Sequence, residues 1–427
     1  MAAAGLAHAG HQVVCAEQDP TRYAPLQRGV VPFLEAGLET LLSDGLRTGR
    51  LTFVQHVADA PPYEVGIVAV GTPPLGNGEV DLHFVFAAVQ QVVRWAPRPV
   101  VLAMKSTVPP GTGSRVERLF LREAAQPIHY VANPEFLREG LAVSDWFHPA
   151  RTVVGASAPE ALAVMRALYR GIQAPLFETD VTTAEMAKYA SNAFLAAKVS
   201  FINEIAHLCE AIGADVARVA EVMGADPRIG PDYLQPGVGY GGSCFPKDTR
   251  ALNVISDTNG YAFRLLKAVI EVNAHQRRYA VQRVADAVGG NLRGIRVAVL
   301  GVAFKPGTDD VRESPALEIT SLLLERGAQV ALWDPRAMAS ARPLLSDAVT
   351  FAGDAYEACA GCHAVMVLTA WPEFASLDWT RIGRTMADPR VVFDGRDCLP
   401  DRLAEAGLTL LRIGRPTRPA ILTVPQA

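Results

Sequence analysis

No apolar stretch in the 427-residue chain reaches the ~20 residues a helix needs to cross a bilayer. Residues 1–10 have neither a basic start nor a long apolar centre, so no secretory leader is expected there. Neither sign of charge is in large excess. Against 44 Asp and Glu stand 40 Lys and Arg, a net of −4, which excludes a general nucleic-acid binder. Cysteine is sparse as well. Six scattered thiols make no disulfide framework and suit a reducing, cytoplasmic setting. What is present in quantity is hydrophobic material, half of all residues. A chain of this length and composition is expected to build two or three domains.

Another absence is local. Met1 to Ala9 is alanine-rich and favours a helix, which Gly10 ends. Val13-Val14-Cys15-Ala16 then reads as a strand ending on Glu17. A helix followed by a strand with a terminal acid is the second half of a dinucleotide-binding βαβ unit, the acid being placed to bond ribose hydroxyls. The first half, a strand and a G-x-G-x-x-G loop, would lie just upstream of Met1. The expectation is a native start about a dozen residues earlier.

Further on, short continuous apolar runs mark buried parallel strands at Gly66–Gly71, Pro99–Met104 and Ile128–Ala132, with a last short strand at Thr152–Gly155. Each of the first three ends in a polar or proline-rich loop: Gly71-Thr72-Pro73-Pro74, Lys105 to Gly111, and Asn133 to Gly140. Ligands of open α/β sheets bind at such strand ends. A long helical zone follows. Thr182 to Glu185 fits a capping box, with Thr182 as N-cap, and the pattern runs on to Ala211. Lys188 and Asn192 are four apart and share a face of this mostly apolar helix, where buried polar groups need partners. Strands alternate with helices again from Arg296, at residues 297–300, 330–333, 364–368 and 391–393. The reading is an α/β chain of two Rossmann-like doubly wound domains joined by a central all-helical domain with a long helix. The boundaries expected are 1–180, 181–287 and 288–427, with a loose proline-rich tail after Gly414.

Two cysteine motifs need separate treatment. Cys359-Ala360-Gly361-Cys362-His363 matches the letters of a haem-attachment site. It directly precedes an apolar strand, so it reads as a helix end and loop without redox or metal chemistry. The run from Gly237 to Asp248 is different. Four glycines allow sharp turns or close approach, and Cys244 follows at once, with Lys247 and Asp248 one turn on. A nearby cation or a glycine-rich turn favours the thiolate, the nucleophilic form.

Together these pieces resemble the UDP-glucose/GDP-mannose dehydrogenase family, over nearly the whole chain. The marks are Pro32-x-x-Glu35-x-Gly37-Leu38, Val70-Gly71-Thr72-Pro73, Lys105 to Gly111, Asn133 to Gly140, and Ala187-Lys188 through Asn192-Ala193-Phe194. They continue with Gly239 to Asp248, Phe304-Lys305, Arg312-Glu313-Ser314-Pro315 and Phe393-Asp394-Gly395-Arg396. The chain departs from the family pattern at Ala150, where Asp is common, and at Gln235, where some members carry lysine.

The resemblance implies NAD as cofactor and a two-step oxidation of a sugar C6 alcohol to a carboxylate, UDP-glucose to UDP-glucuronate, through a thiohemiacetal and a thioester on Cys244. Lys188 and Asn192 would stabilise the oxyanion; Asp248, with Thr107 and Glu135, would orient or deprotonate water. Glu17, Arg22, Thr72, Thr107, Glu139 and Arg312 would hold NAD. Phe136, Leu137, Arg138, Lys188, Asn192, Tyr233, Gly241, Phe304, Lys305 and Arg396 would hold the nucleotide sugar, with Arg228 reaching a neighbouring subunit's site in a homodimer. GDP-mannose, a UDP-N-acetylhexosamine or TDP-glucose are alternative substrates. A non-catalytic relative that cannot bind NAD is an alternative role. A cysteine hydrolase is disfavoured, since no histidine neighbours Cys244 in sequence.

Overall fold

The computed structural model describes residues 1–417. It divides into two compact units, Met1–Ser191 with Arg250–Gly260, and Asn192–Thr249 with the residues from Tyr261 onward. The boundary falls inside the 32-residue helix Val181–Ile212.

In the first unit, β1 (Val13–Ala16) and β2 (Leu51–Val54) form a parallel pair. A second sheet has the order β3 (Val65–Val68), β4 (Val100–Met104), β5 (Ile128–Ala132), β6 (Thr152–Ala156), β7 (Leu176–Thr179). All its pairings are parallel except β5 with β6. Every residue of β4 is buried, which is why its sequence is apolar without alternation. Val13 of β1 and Val65 and Ile67 of β3 pack on the same core, yet no backbone pairing joins the two sheets. Asp180, not Thr182, caps the long helix: its carboxylate accepts from the Thr183 amide at 2.9 Å. The short aspartate reaches the free amides of the first turn, whereas Glu185 is drawn to partners on another element.

In the second unit six parallel strands have the order β10 (Thr350–Phe351), β9 (Gln329–Trp333), β8 (Arg296–Leu300), β11 (Ala364–Val367), β12 (Val391–Asp394), β13 (Thr409–Arg412). Numbered within the unit, this is the doubly wound order 3-2-1-4-5-6, whose ligand crevice opens beyond β8 and β11, where the order reverses. The acid at the end of β9 is turned inward. Asp334 accepts from the amides of Val302 and Ala303, at 2.7 and 3.0 Å, just after β8, and from the Trp371 indole. Strands β2, β7, β10 and β13 were not expected from sequence. They are two to four residues long, and an edge strand that short leaves no long apolar run.

Cys359 ends the helix Ala355–Cys359 and is buried, as is Cys362. Burial pushes the Cys362 thiol up to about 11 and that of Cys359 higher still. Such thiols are inert at neutral pH, in keeping with a structural motif. The proline-rich tail lies mostly outside the described residues. Among those described, no helix is long and apolar enough to cross a membrane, and no cluster of His, Cys, Asp and Glu could hold a metal.

Candidate active site

In the second unit the site is built on the loop before the helix Phe245–Thr258. Cys244 is half-buried and immediately precedes that helix; its carbonyl accepts from the Asp248 amide at 2.8 Å. Unpaired amides at a helix N-terminus favour an anion placed there. One turn on, the buried Asp248 carboxylate is held from two sides. Asn192 Nδ2 donates to Oδ2 at 2.6 Å, and Lys247 Nζ lies 2.5 Å from Oδ1.

Four side chains clamp the glycine loop. Asn273 accepts from the Tyr240 amide at 2.8 Å and donates to the Tyr240 carbonyl at 3.1 Å. Asn203 accepts from the Gly237 amide, Gln276 donates to the Gly237 carbonyl, and Arg277 donates to the Tyr240 carbonyl. The glycines are needed for close approach. Gly239 has φ +97° and faces Asn273, and a Cβ on Gly241 would overlap the Glu313 carbonyl. The Phe304 ring lies against Gly242. Arg396 donates to the Leu368 carbonyl at 2.8 Å and reaches the Gly239 carbonyl at 3.4 Å. Burial lowers its guanidinium to about 10, which leaves it a cation at neutral pH. Phe304 and Lys305 follow β8, and Arg396 follows β12, at the carboxyl ends of the sheet. Thus Asn192, Gly241, Cys244, Asp248, Phe304 and Arg396 gather around one loop. The Tyr233 ring sits 5.9 Å from Phe245. Arg228 and Arg312 are exposed, paired with Asp226 and Asp310.

In the first unit Lys188 is buried, with Glu135 Oε1 3.6 Å from its Nζ and the Phe136 ring 5.2 Å away. Arg151 covers the same ring at 3.9 Å. Lys188 also lines a small recess with Ser106, Thr107, Pro134 and Glu185. Thr107, Glu135, Phe136 and Lys188 therefore come together. Leu137 donates its amide to Glu135, while Arg138 forms a bidentate pair with Asp145. Glu139 and Thr72 are half-buried in neighbouring strand-end loops. Glu17 directly follows β1 and accepts from the Asp19 amide; Arg22 pairs with Asp19. An acid just after a strand end is the position from which a dinucleotide's ribose hydroxyls are bonded in this kind of sheet.

Sequence reasoning passed over the groups that hold these loops. Glu35 takes the amides of Gly140 and Ala142 at 2.7 and 2.8 Å, and Glu185 takes those of Gly111 and Gly113 at 2.7 and 2.8 Å. Asn273, Gln276 and Arg277 share a face of the helix Arg264–Ala287 at i, i+3 and i+4. That polar trio inside an otherwise core-facing helix was the available signal.

Comparison with known proteins agrees with this arrangement. Three models of the UDP-glucose/GDP-mannose dehydrogenase family match: the NAD binding domain over residues 1–173, the central domain over 182–275 and the UDP binding domain over 298–401. The chain is 42% identical to a UDP-glucose 6-dehydrogenase of Rhizobium meliloti, covering 95% of each protein. It is 40% identical to the UDP-glucose 6-dehydrogenase TuaD of Bacillus subtilis, covering 96% of this chain and 89% of that protein. A UDP-glucose dehydrogenase structure from Pyrobaculum islandicum superposes with a TM-score of 0.87 at 42% identity, over 92% of this chain and 90% of that one. The chain, with its strand-end loops and its cysteine-bearing glycine turn, belongs to the UDP-glucose/GDP-mannose dehydrogenase family.

Proposed function

We propose that this chain oxidises the C6 alcohol of UDP-glucose to the carboxylate of UDP-glucuronate, with NAD as cofactor. The observation that carries the reading is Cys244 at a helix N-terminus with Asp248 buried one turn on and bonded to Asn192. The full-length likeness to UDP-glucose 6-dehydrogenases supports the substrate.

Each NAD, when bound, would supply the acceptor for one hydride, so two are needed per sugar. Glu17, Arg22, Thr72, Thr107, Glu139 and Arg312 are the residues proposed to hold it. The C6 hydroxyl loses its proton and the C6 carbon loses a hydride, giving an aldehyde. The Cys244 thiolate adds to the aldehyde carbon, and the resulting oxyanion is stabilised by Lys188 and Asn192. A second hydride leaves that carbon, giving a thioester. Water, oriented by Asp248 with Thr107 and Glu135, then breaks the C–S bond and releases the acid and the thiol. One sugar therefore consumes two hydride acceptors and one water. Phe136, Leu137, Arg138, Tyr233, Gly241, Phe304, Lys305 and Arg396 are assigned to the nucleotide sugar. The matches of the family models support a division into domains at 1–180, 181–287 and 288–427.

A homodimer is part of the reading. Phe194, Phe201 and Leu208 lie seven residues apart on the long helix and are 67, 52 and 55% exposed. Exposed apolar side chains at that spacing form a seam suited to another helix. Arg228, exposed near this region, would reach the partner's site. The reading also takes the protein as cytoplasmic, in keeping with its free thiols.

The test is purified protein with NAD and a limiting amount of UDP-glucose, followed by NADH absorbance. Two NADH per sugar supports the reading. Turnover with GDP-mannose and none with UDP-glucose would overturn the substrate.

A further inference from the structure

We propose that Glu185 is a positioning residue for this oxidation, holding the Thr107 loop and the Lys188 turn in one frame. The proposal rests on the function proposed above. Glu185 is 3% exposed. Three donors converge on it: the amides of Gly111 and Gly113, and the Tyr130 hydroxyl at 3.1 Å. The two amides open the short helix Thr112–Val116, so the carboxylate caps that helix. A cap usually comes from the residue just before the helix. Here it comes from more than 70 residues away, on the long helix, one turn before Lys188.

The loop it holds has a second anchor at its other end. Ser106 Oγ accepts from the Val70 amide at 2.9 Å and donates to the Val70 carbonyl at 2.8 Å. Thr107 stands between the two anchors, followed by Val108 and the stiff pair Pro109-Pro110. Proline fixes φ, so fixing Gly111 fixes the path back to Thr107. Glu185 and Lys188 are i and i+3 on a helix and share a face. Thr107, Glu185 and Lys188 line the same recess. Release of the carboxylate frees the loop at one end and shifts Thr107 relative to the Lys188 ammonium.

The experiment compares Glu185→Ala, Glu185→Gln and Tyr130→Phe with wild type in steady-state NADH formation from UDP-glucose. Misplacement of about 1 Å is worth roughly 100-fold in rate. The expected kcat loss is therefore about 30- to 100-fold for Glu185→Ala, with KM for UDP-glucose within about threefold. Glu185→Gln keeps one acceptor and should fall between it and wild type. Tyr130→Phe leaves both amides held and should stay within about threefold. Hydrogen exchange of residues 107–113 should quicken in both Glu185 variants. If the alanine variant does not fold, the glutamine variant decides by the same criteria. A folded Glu185 variant with wild-type kcat, or a loss lying wholly in KM, overturns the proposal. A silent wild type instead refutes the functional reading, and the role of Glu185 falls with it.

Discussion

Asn192 donates to Asp248 at 2.6 Å, and both side chains are almost wholly withdrawn from solvent. The bond ties the long helix to the helix that begins after Cys244. Asn192→Ala leaves a buried carboxylate oxygen without its donor, at a cost of about 1–3 kcal/mol. Urea unfolding should show that loss, together with reduced turnover. Asn192→Asp sets two carboxylates against each other, so one must take up a proton. That variant should be most impaired at high pH and should recover stability as the pH falls.

Replacing Cys244 by serine should stop the chemistry before the second oxidation is complete. An alkoxide leaving group and a weaker nucleophile cannot replace the thiolate in capture and release. NADH per sugar should fall below two in a single-turnover assay. Full double oxidation by Cys244→Ser would remove the thioester from the mechanism.

Gly239→Ala should destabilise the second unit and displace the loop. The position has φ +97°, and the added Cβ would meet Asn273 Oδ1 at 2.6 Å. The combined conformational and steric cost is about 2–4 kcal/mol. Differential scanning calorimetry should show a lower Tm, and Cys244 should become more reactive toward iodoacetamide as the loop loosens.

Glu185 gives a pH dependence of stability. Burial raises its carboxyl from 4.5 to about 7, against the pull of the two amides and Tyr130. The folded state therefore binds this proton more tightly than the unfolded state does. Stability from this group is full below about 4.5 and declines as pH rises through about 7. The total is about 3 kcal/mol. Urea midpoints of wild type and Glu185→Gln across pH 4.5 to 7 should differ in slope, with the glutamine variant flatter.

Phe201→Glu should disperse the proposed dimer. A charge in the middle of the Phe194–Phe201–Leu208 seam cannot be buried without a partner. Light scattering after size exclusion should show the monomer mass for this variant and twice that mass for wild type.

Much of this was written plainly in the chain. Uniform apolar runs such as Val100–Met104 announced the buried strands, and the glycine–cysteine loop marked out the candidate site. The reading missed strands like Thr350–Phe351, where two residues carry no period. It also gave Thr182 the capping role that Asp180 fills, because the rule fits both residues and only packing shows that Glu185 is engaged elsewhere. Glu35, Glu185 and Asn273 act on backbone amides and carbonyls far along the chain. No local spacing encodes such a partner, so a sequence quotes these residues without revealing their work.

Two sheets in this chain have the architecture that binds dinucleotides, but they are not rivals for one. In the second, the Asp334 carboxylate already occupies the amides where a pyrophosphate would settle. An incoming diphosphate at that turn would meet a fixed negative charge in place of free N–H groups. A repeated architecture need not carry a repeated ligand site when a side chain of the fold already takes the amides of the turn.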